Sequence, residues 1–252
     1  MIVFCGSIVI PVEAAENRGL CEYYGFTREQ YLVYLESHEN DNYYIGTPYK
    51  SGNNVTPNGK AQNGKGAMNC SGFIYDVIST LITKNGGKPG NYDIFRYSSP
   101  KNWKKICNDN NIQTYTYYSV SAALSSGKLE KGDILALYTN TNYSSSNYNH
   151  IGIYWGNGTT NRFWHSGSSG NEISEIKSVG TIKMVMIIKM TTKIPQKGDV
   201  NLDGKLSVED ARLLLRYCAD LQTLNSRQLA VCDVNGDSKI KSNDVHCILS
   251  SL

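Results

Sequence analysis

The strongest apolar periodicity in the chain runs from residue 70 to residue 84. There Phe73, Ile74, Val77, Ile78, Leu81 and Ile82 recur three and four positions apart. This spacing predicts a helix with one broad buried face, ended by Gly86 and Gly87. A shorter helical pattern lies in "TREQYLVYLESHEN", with Thr27 as N-cap and Tyr31, Leu32, Tyr34 and Leu35 on the inner side. His38 falls near the end of that helix, where an imidazole commonly meets the helix dipole. Downstream the period changes. Strand-like runs occur at 133–138 ("DILALY"), 150–156 ("HIGIYWG"), 162–166 ("RFWHS") and 180–190 ("GTIKMVMIIKM"), divided by turn-rich sequence such as "TNTNYSSSNYN". Helices first and antiparallel strands afterwards predict an α+β domain over residues 16–192.

The two ends read differently. Residues 1–15, "MIVFCGSIVIPVEAA", resemble the apolar core and cleavage end of a secretory signal without its basic leader; a buried first strand is the alternative. No other run approaches the roughly 18 apolar residues that cross a bilayer. Residues 193–197, with Pro195, form a short linker. Beyond it "GDVNLDGKLSVEDARLLLRY" and "CDVNGDSKIKSNDVHCILSS" repeat with 34 residues between Asp199 and Asp233. Each unit is an oxygen-rich loop followed by a helical pattern, so residues 198–252 form a second, small all-α domain.

Composition narrows the function. The net charge is +3 with signs interspersed, which gives no basic face for nucleic acid. Many Gly, Tyr, Asn and Ser residues suit loop-rich surfaces facing sugars or wall polymers. Seven cysteines leave five once Cys5 and Cys70 are set aside, an odd number. Cys218, Cys232 and Cys247 lie close in sequence, and their pairing is open.

Cys70 stands where a long Gly/Asn/Lys loop (46–69) meets the strongest helix. A helix N-terminus offers unpaired N–H groups and the positive dipole end, which favour a thiolate and supply part of an oxyanion hole. A nucleophile also needs a base and a group that orients it. Of four histidines, His150 and His165 sit in neighbouring predicted strands that can bring both imidazoles onto one face. His150 is then the base and His165 its partner. Asp133 reads as a turn or backbone partner and His246 as a surface helix residue.

"NCSGF" (69–73), "KGDIL" (131–135), "HIGIYWGNG" (150–158) and "FWHSGSSG" (163–170) occur in that order. Together they resemble the NlpC family of papain-like cell-wall cysteine peptidases, over roughly 41–190. The resemblance implies N-terminal helices packed on an antiparallel sheet, with Cys70 as nucleophile, His150 as base and His165 as the later polar residue. It places Tyr49, Asn69 and Ser71 beside the substrate, and it implies hydrolysis of amide bonds in peptidoglycan stem peptides without a catalytic cofactor. Asn69 stands where that family usually has Asp. For Tyr49 and Asn69 a purely structural role remains an equal reading.

Calcium takes oxygen ligands from twelve-residue loops at positions one, three, five, seven, nine and twelve. The first loop supplies Asp199, Asn201, Asp203, the Lys205 carbonyl, Ser207 and Asp210, with Gly204 at the sixth position. The second supplies Asp233, Asn235, Asp237, the Lys239 carbonyl and Asp244, with Ser238 at the sixth position and Lys241 at the ninth. Two calcium ions are expected, the second held more weakly. The paired half-motifs resemble a type I dockerin, which implies a cohesin partner on a cellulosome scaffold. The recognition positions then fall at Val208 and Glu209 in one half and at Ser242 and Asn243 in the other. Leu213, Leu214 and Arg216 join from the first helix, with a core role for the leucines as the plainer reading. The combined expectation is a secreted peptidoglycan hydrolase carried on a scaffold. The alternatives are a cysteine amidase or acyltransferase on a non-wall substrate, and a non-catalytic wall-binding module.

Overall fold

A computed structural model describes residues 17–49, 67–89, 102–141, 149–156, 160–176, 181–192, 196–202, 204–224 and 226–252. The signal-like residues 1–15, most of the loop before Met68, linker residues 193–195 and the ligand position Asp203 lie outside them. The elements are α1 (Leu20–Tyr24), α2 (Arg28–Glu36), α3 (Cys70–Lys84), α4 (Trp103–Asp109), β1 (Thr114–Tyr117), α5 (Val120–Ser125), β2 (Ile134–Tyr138), β3 (Asn149–Tyr154), β4 (Phe163–Gly167), β5 (Gly170–Ser174) and β6 (Met184–Ile188). Three helices follow, α6 (Val208–Cys218), α7 (Ser226–Cys232) and α8 (Ser242–Ser250).

The long helix α3 starts and stops where the periodicity places it. Asn69 caps its first turn, accepting from the Gly72 N–H at 2.7 Å, and Gly86 follows its end at φ 79°. α2 begins at a reciprocal cap. Thr27 Oγ1 accepts from Gln30 N–H (3.1 Å) while Gln30 Oε1 accepts from Thr27 N–H (2.8 Å). His38 lies beyond α2, with Nδ1 2.7 Å from Asp41 and its ring stacked on Tyr43.

All strands join one antiparallel sheet of order β1-β6-β2-β3-β4-β5. Their alternation sorts side chains to two faces. Ala136, Ile151, Ile153, Trp164 and Met186 point to the face covered by α1–α4 and make the main core with Phe73, Val77 and Leu81. Leu135, Leu137, Tyr154, Phe163, Val185 and Ile187 point to the other face and pack with Ala123 of α5. Asp133 is the expected backbone partner. Its buried carboxylate accepts from Met190 N–H (3.1 Å) and Glu130 N–H (2.9 Å) and pairs with Lys189 Nζ at 2.6 Å. It thereby ties the start of β2 to the end of β6.

In the C-terminal part the 34-residue repeat becomes packing. Ala211 and Leu214 of α6 match Val245 and Ile248 of α8, and all four are buried with Val200 and Cys232. Besides the helix that follows each loop, α7 leads directly into the second loop. No described helix is long and apolar enough to cross a membrane. The described cysteines, Cys218, Cys232 and Cys247 among them, form no disulfide.

Candidate functional site

The site forms where the β3–β4 ladder ends. Its last pair is Gly152 with His165, so Ile151 N–H is released from strand pairing. The half-buried Cys70 thiol stands at the N-terminus of α3, with the backbone N–H groups of Ile151, Ser71 and Cys70 near enough to favour its thiolate. Cys70 approaches from the α3 face. His150 and His165 lie on the opposite face, beside Leu137 and Phe163. The structure brings the two imidazoles together and places the sulfur on the α3 side, near the Ile151 N–H.

The imidazoles are nearly inaccessible and touch each other, His150 Nε2 to His165 Nδ1 at 2.9 Å. Phe163 stacks on the His165 ring at 5.0 Å between centroids and meets the His150 ring edge-on at 5.9 Å. Gly167 leaves room for this pair, since a Cβ there would stand 3.2 Å from His165 Cε1. His165 Nε2 continues to Ser174 Oγ on β5 at 2.8 Å, and the Glu172 carboxylate lies 3.8 Å from the same nitrogen. Sequence reasoning missed Ser174 and Glu172. "GNEIS" carries a single aliphatic residue and gives no strand signal. Only the turn glycines Gly167 and Gly170 could have suggested a hairpin returning past His165.

Burial sets the protonation states. It pulls His150 down to about 3, with His165 adding to the effect, and pulls His165 down to about 4. It also pushes the Cys70 thiol up, against the pull of the Ile151, Ser71 and Cys70 N–H groups. The expectation that the helix terminus lowers the thiol pKa is thus corrected, because desolvation outweighs the local donors. The resting pair is a neutral thiol and a neutral imidazole.

Of the expected substrate residues, Asn69 and Ser71 flank Cys70 in the chain. Tyr49 is 48% exposed and bridges backbone to backbone with Met68. Its segment is clamped to β5 by Gly46 N–H to Asn171 O and Asn171 N–H to Thr47 O, both 2.8 Å. Asn69 Oδ1 is engaged as the helix cap and also accepts from Ser71 Oγ at 3.2 Å.

Among the described residues, each repeat loop has two left-handed positions. In the first loop these are Leu202 (φ 59°) and Gly204 (φ 82°); in the second they are Gly236 (φ 77°) and Ser238 (φ 63°). Each loop therefore has one glycine and one strained residue, at swapped positions. Left-handed strain at Ser238 is matched by that at Leu202 and does not single out the second loop. Lys241 opposite Ser207 remains as the difference. The carboxylates are held by loop amides, Asp199 by Gly204 N–H, Asp210 by Asn201 and Ser207 N–H, Asp233 by Gly236 and Ser238 N–H, and Asp244 by Val234, Asn235 and Lys241 N–H. Among the described residues no three Asp, Glu, His or Cys side chains converge as a metal cluster. The donor set of Asp199, Asn201, the Lys205 carbonyl, Ser207 and Asp210, and the second set of Asp233, Asn235, Asp237, the Lys239 carbonyl and Asp244, are all hard oxygens on tight turns, which fits calcium. Val208 is 63% exposed, and Glu209, Ser242 and Asn243 are exposed at the starts of α6 and α8. Leu214 is core, whereas Leu213 is partly buried and Arg216 exposed.

Residues 197–251 match the family model of the dockerin type I domain. The C-terminal segment is a dockerin domain. No curated protein matches the chain. A solved structure is similar at a TM-score of 0.56 and 20% identity, over 66% of this chain and 89% of the other. It is an uncommon cellulosome-related protein module from Ruminococcus flavefaciens that resembles papain-like cysteine peptidases. At this identity the likeness shows the fold, a papain-like arrangement of helices and antiparallel sheet.

Proposed function

We propose that residues 16–192 form a secreted cysteine peptidase that hydrolyses amide bonds in peptidoglycan stem peptides. The dockerin then attaches it to a cellulosome scaffold through calcium-dependent cohesin binding. The His150–His165 contact, with the Cys70 thiol near the N–H of the residue that follows His150, carries this reading, because it offers a thiol beside backbone donors and a buried base whose far nitrogen is already committed. The cellulosome-related neighbour supports the scaffold context.

In this reaction the Cys70 sulfur attacks the scissile carbonyl while its proton passes to His150 Nδ1. The concerted transfer suits a neutral thiol–imidazole pair. As the sulfur bonds to the carbonyl carbon, the Cys70 and Ser71 amides can hold the oxyanion of the tetrahedral intermediate. The C–N bond then breaks, His150 returns the proton to the leaving amine, and water cleaves the thioester. The oxygen donors named above would hold calcium, which would supply fixed positive charge among them when bound. Val208, Glu209, Ser242 and Asn243 are the proposed cohesin contacts.

Digesting purified muropeptides with the wild-type chain and with Cys70→Ala tests the proposal. New free amines appear with the wild type alone; their absence from both digests rejects a wall substrate. One observation favours a cysteine amidase or acyltransferase on a non-wall substrate as second reading. Asn69 is neutral and its oxygen is engaged in the helix cap, so no carboxylate at that position receives a stem peptide's free amine.

A further inference from the structure

The imidazole contact can exist in only two neutral arrangements, and they differ in whether the site works. One N–H lies between His150 Nε2 and His165 Nδ1. If His150 Nε2 carries it, His150 Nδ1 presents a lone pair and can accept the thiol proton. His165 must then carry its own hydrogen on Nε2 and donate it to Ser174 Oγ. If instead His165 Nδ1 carries the shared hydrogen, His165 Nε2 is bare and accepts from the Ser174 hydroxyl. In that arrangement His150 holds its hydrogen on Nδ1 and cannot serve as a base. A hydroxyl both donates and accepts, so Ser174 alone permits either arrangement.

Glu172 breaks the tie. It is the cross-strand partner of His165, lies on the same face, and places Oε1 3.8 Å from His165 Nε2. An ionised carboxylate only accepts, so its field favours a hydrogen on Nε2. That choice propagates back along the chain: Nε2–H on His165, a bare Nδ1 on His165, Nε2–H on His150, a bare Nδ1 on His150. We propose that Ser174 and Glu172 are positioning residues on β5 that fix the tautomers of both histidines and so make His150 a competent base. This rests on the reading of Cys70 as nucleophile and His150 as its base. Neither residue touches the substrate. Each acts through His165, and the hairpin closed by Gly167 and Gly170 holds them in register.

The proposal is testable without any substrate. In the full chain labelled with ¹⁵N-histidine, long-range proton–nitrogen correlations report which ring nitrogen carries each hydrogen. The wild type is expected to show Nε2–H on both His150 and His165. Glu172→Gln replaces an acceptor with an amide that can donate to a bare Nε2, and Ser174→Ala removes the hydroxyl; the double variant is expected to move His165 toward Nδ1–H. If the productive tautomer falls to a tenth, the rate of Cys70 alkylation by iodoacetamide falls about tenfold. Ser174→Thr keeps the hydroxyl and is expected to retain both the wild-type tautomers and the wild-type rate, which separates positioning from a packing effect of residue 174. Nδ1–H on His165 in the wild type overturns the proposal. So do a double variant with unchanged tautomers and alkylation rate, or a Ser174→Thr variant as impaired as Ser174→Ala. The tautomer and alkylation readouts need no turnover, so a failure of the peptidase reading shows separately, as absent muropeptide cleavage beside an intact Nε2–H pattern.

Discussion

Replacing His165 by Asn tests the burial of the imidazole pair through stability. In the native state burial pulls His165 down to about 4, whereas an unfolded imidazole titrates near about 6.5. A base with a depressed native pKa contributes full stability above the unfolded value. That stability is lost as pH falls below about 6.5, because the unfolded chain binds a proton the native site refuses, and the loss levels off once the native pKa is reached. At about 1.4 kcal/mol per pH unit, His165 costs the domain about 2 kcal/mol at pH 5 relative to pH 7.5. His150, pulled down to about 3, costs a similar amount over the same interval. Asp133, which burial pushes up to about 6, works the other way as it gains a proton in the native state; its contribution is common to wild type and variant and cancels in their difference. The chain's three tryptophans, Trp103, Trp155 and Trp164, are all buried in the domain that holds the pair. Urea titrations followed by tryptophan fluorescence therefore report on that domain, at pH 7.5 and pH 5.0 with calcium held constant. The stability lost by the wild type on acidification should exceed that lost by His165→Asn by about 2 kcal/mol. Equal losses would refute a buried, neutral His165.

Other outcomes follow from single contacts. Lys189→Met strands the buried Asp133 carboxylate and should lower stability by about 3–5 kcal/mol in the same fluorescence assay. Thr27→Ala removes the reciprocal cap of α2 and should cost about 1 kcal/mol. In the dockerin, Ser238→Gly and Leu202→Gly each relieve a left-handed residue. After the greater freedom of an unfolded glycine is set against that relief, each should raise stability by about 0.5 kcal/mol in calcium-saturated thermal melts followed by far-UV circular dichroism. Chelation of calcium should lower the helical signal of the dockerin and abolish cohesin binding in calorimetry, and an unchanged spectrum would contradict that coupling.

Where the candidate site residues fall in the fold was legible because they are tied to strong local patterns. Cys70 opens the most periodic helix, and His150 and His165 sit in strands rich in aromatic and β-branched residues. The α+β order and the paired loops were equally plain. The elements that escaped have weak local signals. β1 alternates Thr and Tyr without an aliphatic side chain, and β5 is a short edge strand of Gly, Asn, Glu and Ser held by its hairpin rather than by propensity. Ser174 and Glu172 were hidden for that reason. α7 was lost between two stronger helices. The thiol's upward shift was illegible for a different reason, since burial depends on how α3 meets the sheet and not on the residues beside Cys70. The left-handed Leu202 was equally hidden, because a leucine gives no turn signal and only the loop's closed geometry forces it there.

The central claim is that the Cys70 sulfur takes up the acyl group while His150 takes up the thiol proton. Rapid quenching of the full chain with a defined stem peptide, followed by mass spectrometry of the protein, measures this directly. The account predicts an acyl mass increment confined to the peptide containing Cys70, its loss in His150→Ala, and release of the amine fragment in step with it. Amine release by Cys70→Ala at the wild-type rate, or an acyl group carried elsewhere on the chain, would contradict it.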